Sequence, residues 1–192
     1  MNSPRLFTAL GVLLTACALL PAVSASEKSG WKLTWRDEFN EAGMPDQQKW
    51  TFEKGFVRNH ELQYYTKGRP ENARVRNGHL VLTARREKYR NPAYTPNAKD
   101  WRRSREFARY TSASLTTRGH ASWTYGRIEV RAKLPTGRGM WPAIWMLGRN
   151  IDEVGWPACG EIDIMEYVGH RPHTIHCNVH TAKYNHVDNT AK

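Results

Sequence analysis

Apolar and polar residues alternate with a period of two along several stretches of this chain. From Gly126 to Leu134 (GRIEVRAKL), Ile128, Val130, Ala132 and Leu134 share one parity, and Arg127, Glu129, Arg131 and Lys133 share the other. That is the pattern of a strand with one face buried. His79 to Ala84 (HLVLTA) is a short apolar run that predicts a second strand. Trp141 to Leu147 (WPAIWML) places Trp141, Ala143, Trp145 and Leu147 on one face, with Pro142, Ile144 and Met146 on the other. Thr174 to His180 (TIHCNVH) sets Thr174, His176, Asn178 and His180 against Ile175, Cys177 and Val179. The turn residues GHRPH at 169–173 join it to the stretch before, so a hairpin is expected there. The mature chain shows no convincing amphipathic helix and no internal repeat of about 20 to 50 residues. An all-β sandwich or jelly roll follows.

The first residues change the picture of where the chain is used. Arg5 precedes an apolar run from Leu6 to Leu20, and Val23-Ser24-Ala25 supplies small residues for a signal peptidase. The run is too short for a membrane span and ends in a cleavage pattern, so residues 1–25 read as an export signal. The product is expected to be secreted or periplasmic. Leu14-Thr15-Ala16-Cys17 offers an alternative, a lipid anchor on Cys17, and without it no membrane association is expected. Removing residues 1–25 leaves 167 residues, enough for one domain at 26–192, and two cysteines, Cys159 and Cys177. If the acidic stretch and residues 174–180 form a hairpin, the two cysteines lie too far apart to bridge, so both should be free.

The formal charge of +11 is concentrated in one place. Residues 85–109 hold nine Lys and Arg against three Asp and Glu. Pro92, Pro96 and the absence of any apolar period predict a long, solvated basic loop between strands, and no nucleic-acid surface is expected.

The chemistry is concentrated in residues 160–168, GEIDIMEYV. In a regular strand Glu161 and Asp163 share a face, Ile162 and Ile164 take the other, and Glu166 has the wrong parity. Three acids among Ile, Met, Tyr and Val are either an exposed strand edge or one cluster brought together by a one-residue shift in register. Trp141 and Trp145 are equally readable as core or as a flat floor for sugar rings. His176 and His180 are about 13 Å apart along a strand, too far to ligate one metal together.

Four stretches carry a resemblance: WKLTWRDEFN (31–40), HELQYYT (60–66), YGRIEVRAKLPTGRGMWPAIWML (125–147) and GWPACGEIDIMEYVG (155–169). Together they resemble the glycoside hydrolases of family 16, most closely the laminarinase-like endo-β-1,3-glucanases. The resemblance implies a concanavalin-like β-jelly roll of two antiparallel sheets, with a substrate groove on the concave one. It implies that the extra residue in E-x-D-x-x-E is a β-bulge near Ile164-Met165, which returns Glu166 to the face of Glu161 and Asp163. Mapped by motif position, Glu161 would be the nucleophile, Glu166 the acid/base, and Asp163 the residue between them that orients the nucleophile. Such a pair would cleave β-1,3-glucan with retention of configuration.

The same resemblance places Trp141, Trp145, His180 and Asn59 at the substrate. Asn59-His60-Glu61 stands where relatives often read Asn-Asn-Glu, a departure at the glycone-side contacts. No cofactor is required for the chemistry. A structural calcium would use Glu38 and a carbonyl near Gly78, together with an Asp close to the C-terminus that has no counterpart here. The chain ends at HVDNTAK, where the resemblance implies further strands, so a C-terminally truncated domain is expected. The expected partner is a β-glucan and the expected state a monomer. A non-catalytic sugar-binding jelly roll, or an enzyme for mixed-linkage glucan or algal galactan, is the alternative.

Overall fold

The computed structural model describes residues 30–190, so the export segment and Cys17 lie outside the described residues. The chain divides into two compact units, 1–37 and 38–192. In the first, the described residues 30–37 carry no helix or strand. All elements belong to the second. These are β1 (Thr51–Phe52), β2 (Gln63–Tyr65), β3 (Ala73–Arg76), β4 (His79–Leu82), β5 (Arg85–Arg90), α1 (Trp101–Ser104), β6 (Phe107–Ser112), β7 (Leu115–Thr116), β8 (Ala143–Leu147), α2 (Ile151–Val154), β9 (Glu161–Glu166) and β10 (His176–His180).

The strands gather into four small sheets: β1-β7, β3-β4, β2-β6-β5 and β8-β9-β10, the last with β9 in the middle. Every pair is antiparallel except β2-β6, which runs parallel. The β3-β4 hairpin shows local chemistry deciding local structure. Asn77 and Gly78 both sit at positive φ, 53° and 71°. Asn-Gly favours that turn because its twist matches the strands it joins. The expected strand from His79 follows at once as β4.

The basic stretch is not a loop throughout. Arg85–Arg90 pairs with Phe107–Ser112, Arg85 opposite Thr111 and Arg90 opposite Phe107 with a one-residue shift in register between Arg86 and Tyr89, and α1 lies in the connection. The core sits here: Phe56, Tyr64 and Ala108 are buried together, with Tyr89 and Trp101 packed against them. The apolar period was hidden because inward positions of both strands carry polar side chains that satisfy one another. Glu87 receives hydrogen bonds from Arg69 (2.7 Å) and from the Thr111 hydroxyl. The Asn72 amide donates to the Thr111 Oγ1 (3.0 Å) and the Thr83 carbonyl (3.0 Å), while its oxygen accepts from the Thr66 hydroxyl (2.9 Å). A buried network costs little when each member has its partner.

The expected strand at 126–134 does not form. Residues 127–134 take no regular structure, and Ile128 and Val130 are exposed. Alternation marks a segment that suits a sheet, but a strand exists only when a neighbour takes its backbone hydrogen bonds. No described strand pairs with this one.

Candidate active site

The three-stranded sheet β8-β9-β10 organises the site in rows. Leu147 lies opposite Glu161, which lies opposite His180; Trp145, Asp163 and Asn178 form the next row; Ala143, Glu166 and His176 form the third. Residues directly opposite one another point to the same face. The two facing strands each advance regularly where β9 advances one residue further: Trp145 to Ile144 spans Asp163 to Met165, and Asn178 to His176 spans Asp163 to Glu166. Ile164 is the surplus residue. This is a β-bulge at the expected place, and it puts Glu166 on the face of Glu161 and Asp163. The Cys177 thiol, opposite the bulge, donates to the Ile164 carbonyl at 3.2 Å. Cys159 and Cys177 are both free.

The other face of this sheet carries Ile144 and Met146 opposite Met165 and Ile162, and Val179 opposite Ile162. Ile162 is 49% and Val179 58% exposed, so the apolar face is open at these two positions. No described element covers them. The acid-bearing face is instead the buried one at its centre, with Asp163 4% and His180 6% exposed.

Glu161 and Glu166 lie opposite Leu147 and Ala143, four residues apart on β8. That separates their Cα atoms by about 13 Å, so convergence falls to the two side chains and the local bend of the bulge. The Trp156 indole Nε1 donates to Glu161 Oε2 at 2.8 Å, and the Trp141 indole Nε1 donates to Glu166 Oε1 at 3.1 Å. Asp163 lies between them. Burial first, and then the neighbouring Glu161 carboxylate, push its carboxyl up from 3.8 to about 6, while His180 acts in the opposite direction. Its Oδ2 is 3.4 Å from His180 Nε2, yet makes no well-formed hydrogen bond, and His180 Nδ1 is likewise buried without a partner. Buried orphans are rare in folded proteins and gather where a ligand completes them.

The two tryptophans are not core. Trp141 is exposed, and Trp145, beside Asp163, carries the Arg58 guanidinium 5.0 Å from its ring. Arg58 is fixed by Glu53, which also accepts from the Ser114 hydroxyl. Asn59 follows Arg58 in an exposed turn at positive φ, 51°. Burial pushes the nearby Glu61 carboxyl up against the pull of Arg58. This turn is braced by the basic stretch: Arg105 donates to the Glu61 carbonyl (2.7 Å), Arg102 donates to the Val57 carbonyl (2.9 Å), and Trp101 stacks on His60 at 4.4 Å. Glu38 and Gly78 are both exposed, Gly78 in the β3-β4 turn. Calcium takes about six to eight oxygens, so these two would need further ligands, and no third residue is identified with them.

Arg58 and Trp156 were not picked out from sequence. Trp156 stands five residues before Glu161 within the quoted GWPACGE, and no periodicity connects it to the acids. The sheet ends are held by two close approaches. A Cβ on Gly148 would lie 1.9 Å from the Cys159 carbonyl oxygen, and one on Gly169 would lie 2.1 Å from that of Gly137. Only glycine fits at either place.

The comparisons with known proteins identify the family. The model for glycosyl hydrolases family 16 matches residues 60–191. The chain is 46% identical over 184 residues to a "Beta-glucanase" of Rhodothermus marinus, covering 94% of this chain and 59% of that protein. It is 42% identical over 164 residues to a "Glucan endo-1,3-beta-glucosidase" of Cryptopygus antarcticus, covering 84% of this chain and 55% of that one. The X-ray structure of the laminarinase from Rhodothermus marinus superposes with a TM-score of 0.71 at 49% identity, over 83% of this chain and 59% of that chain. This chain belongs to glycosyl hydrolases family 16 and takes its β-jelly-roll fold. It spans a little under three fifths of the length of these relatives.

Proposed function

We propose that this chain carries the catalytic centre of an endo-acting β-1,3-glucanase that works by retaining double displacement. Glu161 attacks the anomeric carbon. Glu166 protonates the leaving oxygen and then activates water. Asp163, between them, orients Glu161 and, as a neighbouring negative charge, helps to keep Glu166 protonated. The bulge at Ile164 carries this reading, because without it the acid/base would face away from the nucleophile. Trp141 and Trp145 offer flat apolar surfaces to the sugar rings, and Asn59 and His180 donate or accept hydrogen bonds at its edge. The naming of the relatives as glucanases and a laminarinase supports β-1,3-glucan as the substrate. Export by residues 1–25, with Cys17 lipidation as the alternative, action as a monomer, and calcium held by Glu38 and the Gly78 carbonyl belong to the same proposal.

The test is release of reducing sugar from laminarin, barley glucan, agarose and carrageenan. Laminarin should be cut fastest. Glu161→Gln and Glu166→Gln should each remove most turnover, by roughly 10²-fold or more, with the fold retained. Azide should rescue Glu161→Gly with an inverted glycosyl azide product. Near-native turnover by Glu161→Gln would overturn the assignment, and laminarin bound but never cut would make this a sugar-binding module.

A further inference from the structure

We infer that Glu161, Asp163 and His180 form a site for a divalent transition-metal ion of the Zn2+ type, and that such an ion and the substrate exclude one another. Among the described residues these three form a group whose ligand atoms all lie within 4.8 Å of one another. Two are more than nine-tenths buried.

The hydrogen bonds around His180 explain why the place favours a cation. The Asn178 amide is oriented by its oxygen, which accepts from the Val179 N–H at 2.9 Å. Its Nδ2 therefore points as a donor at His180 Nε2, 3.2 Å away, and makes that nitrogen an acceptor. The same nitrogen lies 3.4 Å from Asp163 Oδ2, an oxygen without a hydrogen-bond partner. The single lone pair of Nε2 is engaged by the Asn178 amide, and Asp163 Oδ2 stands beside it without a well-formed hydrogen bond. A metal ion would take that lone pair in place of the Asn178 donor, and an Oδ2 lone pair with it.

The distance fits a particular class of ion. Zinc binds imidazole nitrogen and carboxylate oxygen at about 2.0–2.2 Å in tetrahedral geometry, which sets neighbouring ligand atoms about 3.4 Å apart. Asp163 Oδ2 and His180 Nε2 already stand at that separation. Glu161 supplies the third ligand, and its Oε2 is held by the Trp156 indole, an outer-shell hydrogen bond of the kind that orients metal ligands. The fourth position is left to water. Calcium and magnesium demand about six or more oxygens, and one imidazole with two carboxylates does not suit them. Ion binding would occupy the proposed nucleophile, so exclusion of substrate rests on the reading of Glu161 given above. Binding itself does not.

Titration of the full chain with ZnCl2 by calorimetry, and with CoCl2 by visible absorption, tests the site. One ion per chain and the intense d–d bands of four-coordinate Co2+ are expected, and neither CaCl2 nor MgCl2 should displace that ion. His180→Ala should weaken zinc binding by roughly 100-fold, and Trp156→Phe, which leaves all three ligands, by roughly 10-fold. Zinc should inhibit laminarin cleavage competitively. Failure of the wild-type chain to bind Zn2+ would overturn the site. So would unchanged affinity in both variants, because the ion would then sit on surface histidines or the free cysteines. A chain that binds zinc through His180 but cuts no glucan keeps the metal site and refutes the enzyme reading, and one that cuts glucan but binds no zinc does the reverse.

Discussion

Two polar clusters in this chain use the same residue types to opposite ends. Around Asn72, every buried group has a partner: Thr66, Thr83 and Thr111 on the amide, and Arg69 and Thr111 on Glu87. Glu87, bonded first by Arg69 and then by Thr111, is held down at about 2. Around Asp163, burial without a full set of partners drives the carboxyl up to about 6 and leaves Oδ2 and His180 Nδ1 unsatisfied. The first cluster stabilises a fold. The second holds unsatisfied groups ready for something the chain itself does not supply. Satisfaction of hydrogen bonds, more than the presence of acids, separates a structural carboxylate from a working one.

The largest expected break of this contrast is geometric. An alanine inserted after Met165 should turn Glu166 to the apolar face and reduce turnover on laminarin by about 10²–10⁴-fold, the usual contribution of a general acid. Deleting Met165 restores plain alternation of Glu161, Asp163 and the shifted Glu166, so detectable activity should remain. Inactive deletion alongside active insertion would refute the bulge as the cause.

The satisfied cluster should break by unfolding. Asn72→Ala leaves buried hydroxyls and a carbonyl without partners, and should cost about 2–4 kcal/mol in urea denaturation while turnover per folded molecule is unchanged. Asp163→Asn should do the opposite. It removes a buried charge, and should raise stability at pH 7 by about 1–3 kcal/mol while lowering turnover. The sign follows from linkage. A folded carboxyl with a raised affinity for its proton makes the folded state less favourable as pH rises from about 4 to about 6, and the cost is constant above that. The melting-temperature gain of Asp163→Asn should therefore vanish near pH 4. Glu87 behaves in the contrary sense: its contribution is complete above about pH 4.5 and is lost as pH falls towards 2. Glu87→Gln should accordingly lose stability at pH 7 and converge with the wild type in acid.

The smallest effect is expected at the junction of the two regions. Arg58→Met removes a guanidinium from the Trp145 ring and should raise KM on laminarin a few-fold with little change in kcat, in line with about 0.5–1 kcal/mol for such a contact. An equal fall in kcat would mean that Arg58 acts on the reacting groups through Trp145.

Much of the site was legible because its signals are local. Alternation in WPAIWML and TIHCNVH set Trp145 apart from Ile144 and Met146, and Asn178 and His180 apart from Val179, while the parity fault at Glu166 left an exposed edge or a one-residue shift, with the bulge implied by the family resemblance. The core around Tyr89, Ala108 and Trp101 was not legible, because Glu87 and Thr111 hold inward positions that an apolar period would have filled, and only their distant partners Arg69 and Asn72 make them tolerable there. The segment 126–134 failed in the other direction: a clean strand pattern found no strand to pair with. Trp156 reaches Glu161 and Arg58 reaches the Trp145 ring through turns whose course no pattern encodes.

By itself, the sequence determined which side chains share a face, since parity along a strand depends only on the chain's own pleat, and its motifs carried the resemblance to the family. Only the tertiary structure decided that Ile164 is the surplus residue, that Asp163 and His180 are buried while Ile162 and Val179 are exposed, and that Trp156 rather than a neighbouring strand residue holds Glu161. Register, burial and hydrogen-bond satisfaction are set by residues far apart in the chain, and the free energy of each depends on which neighbour arrives.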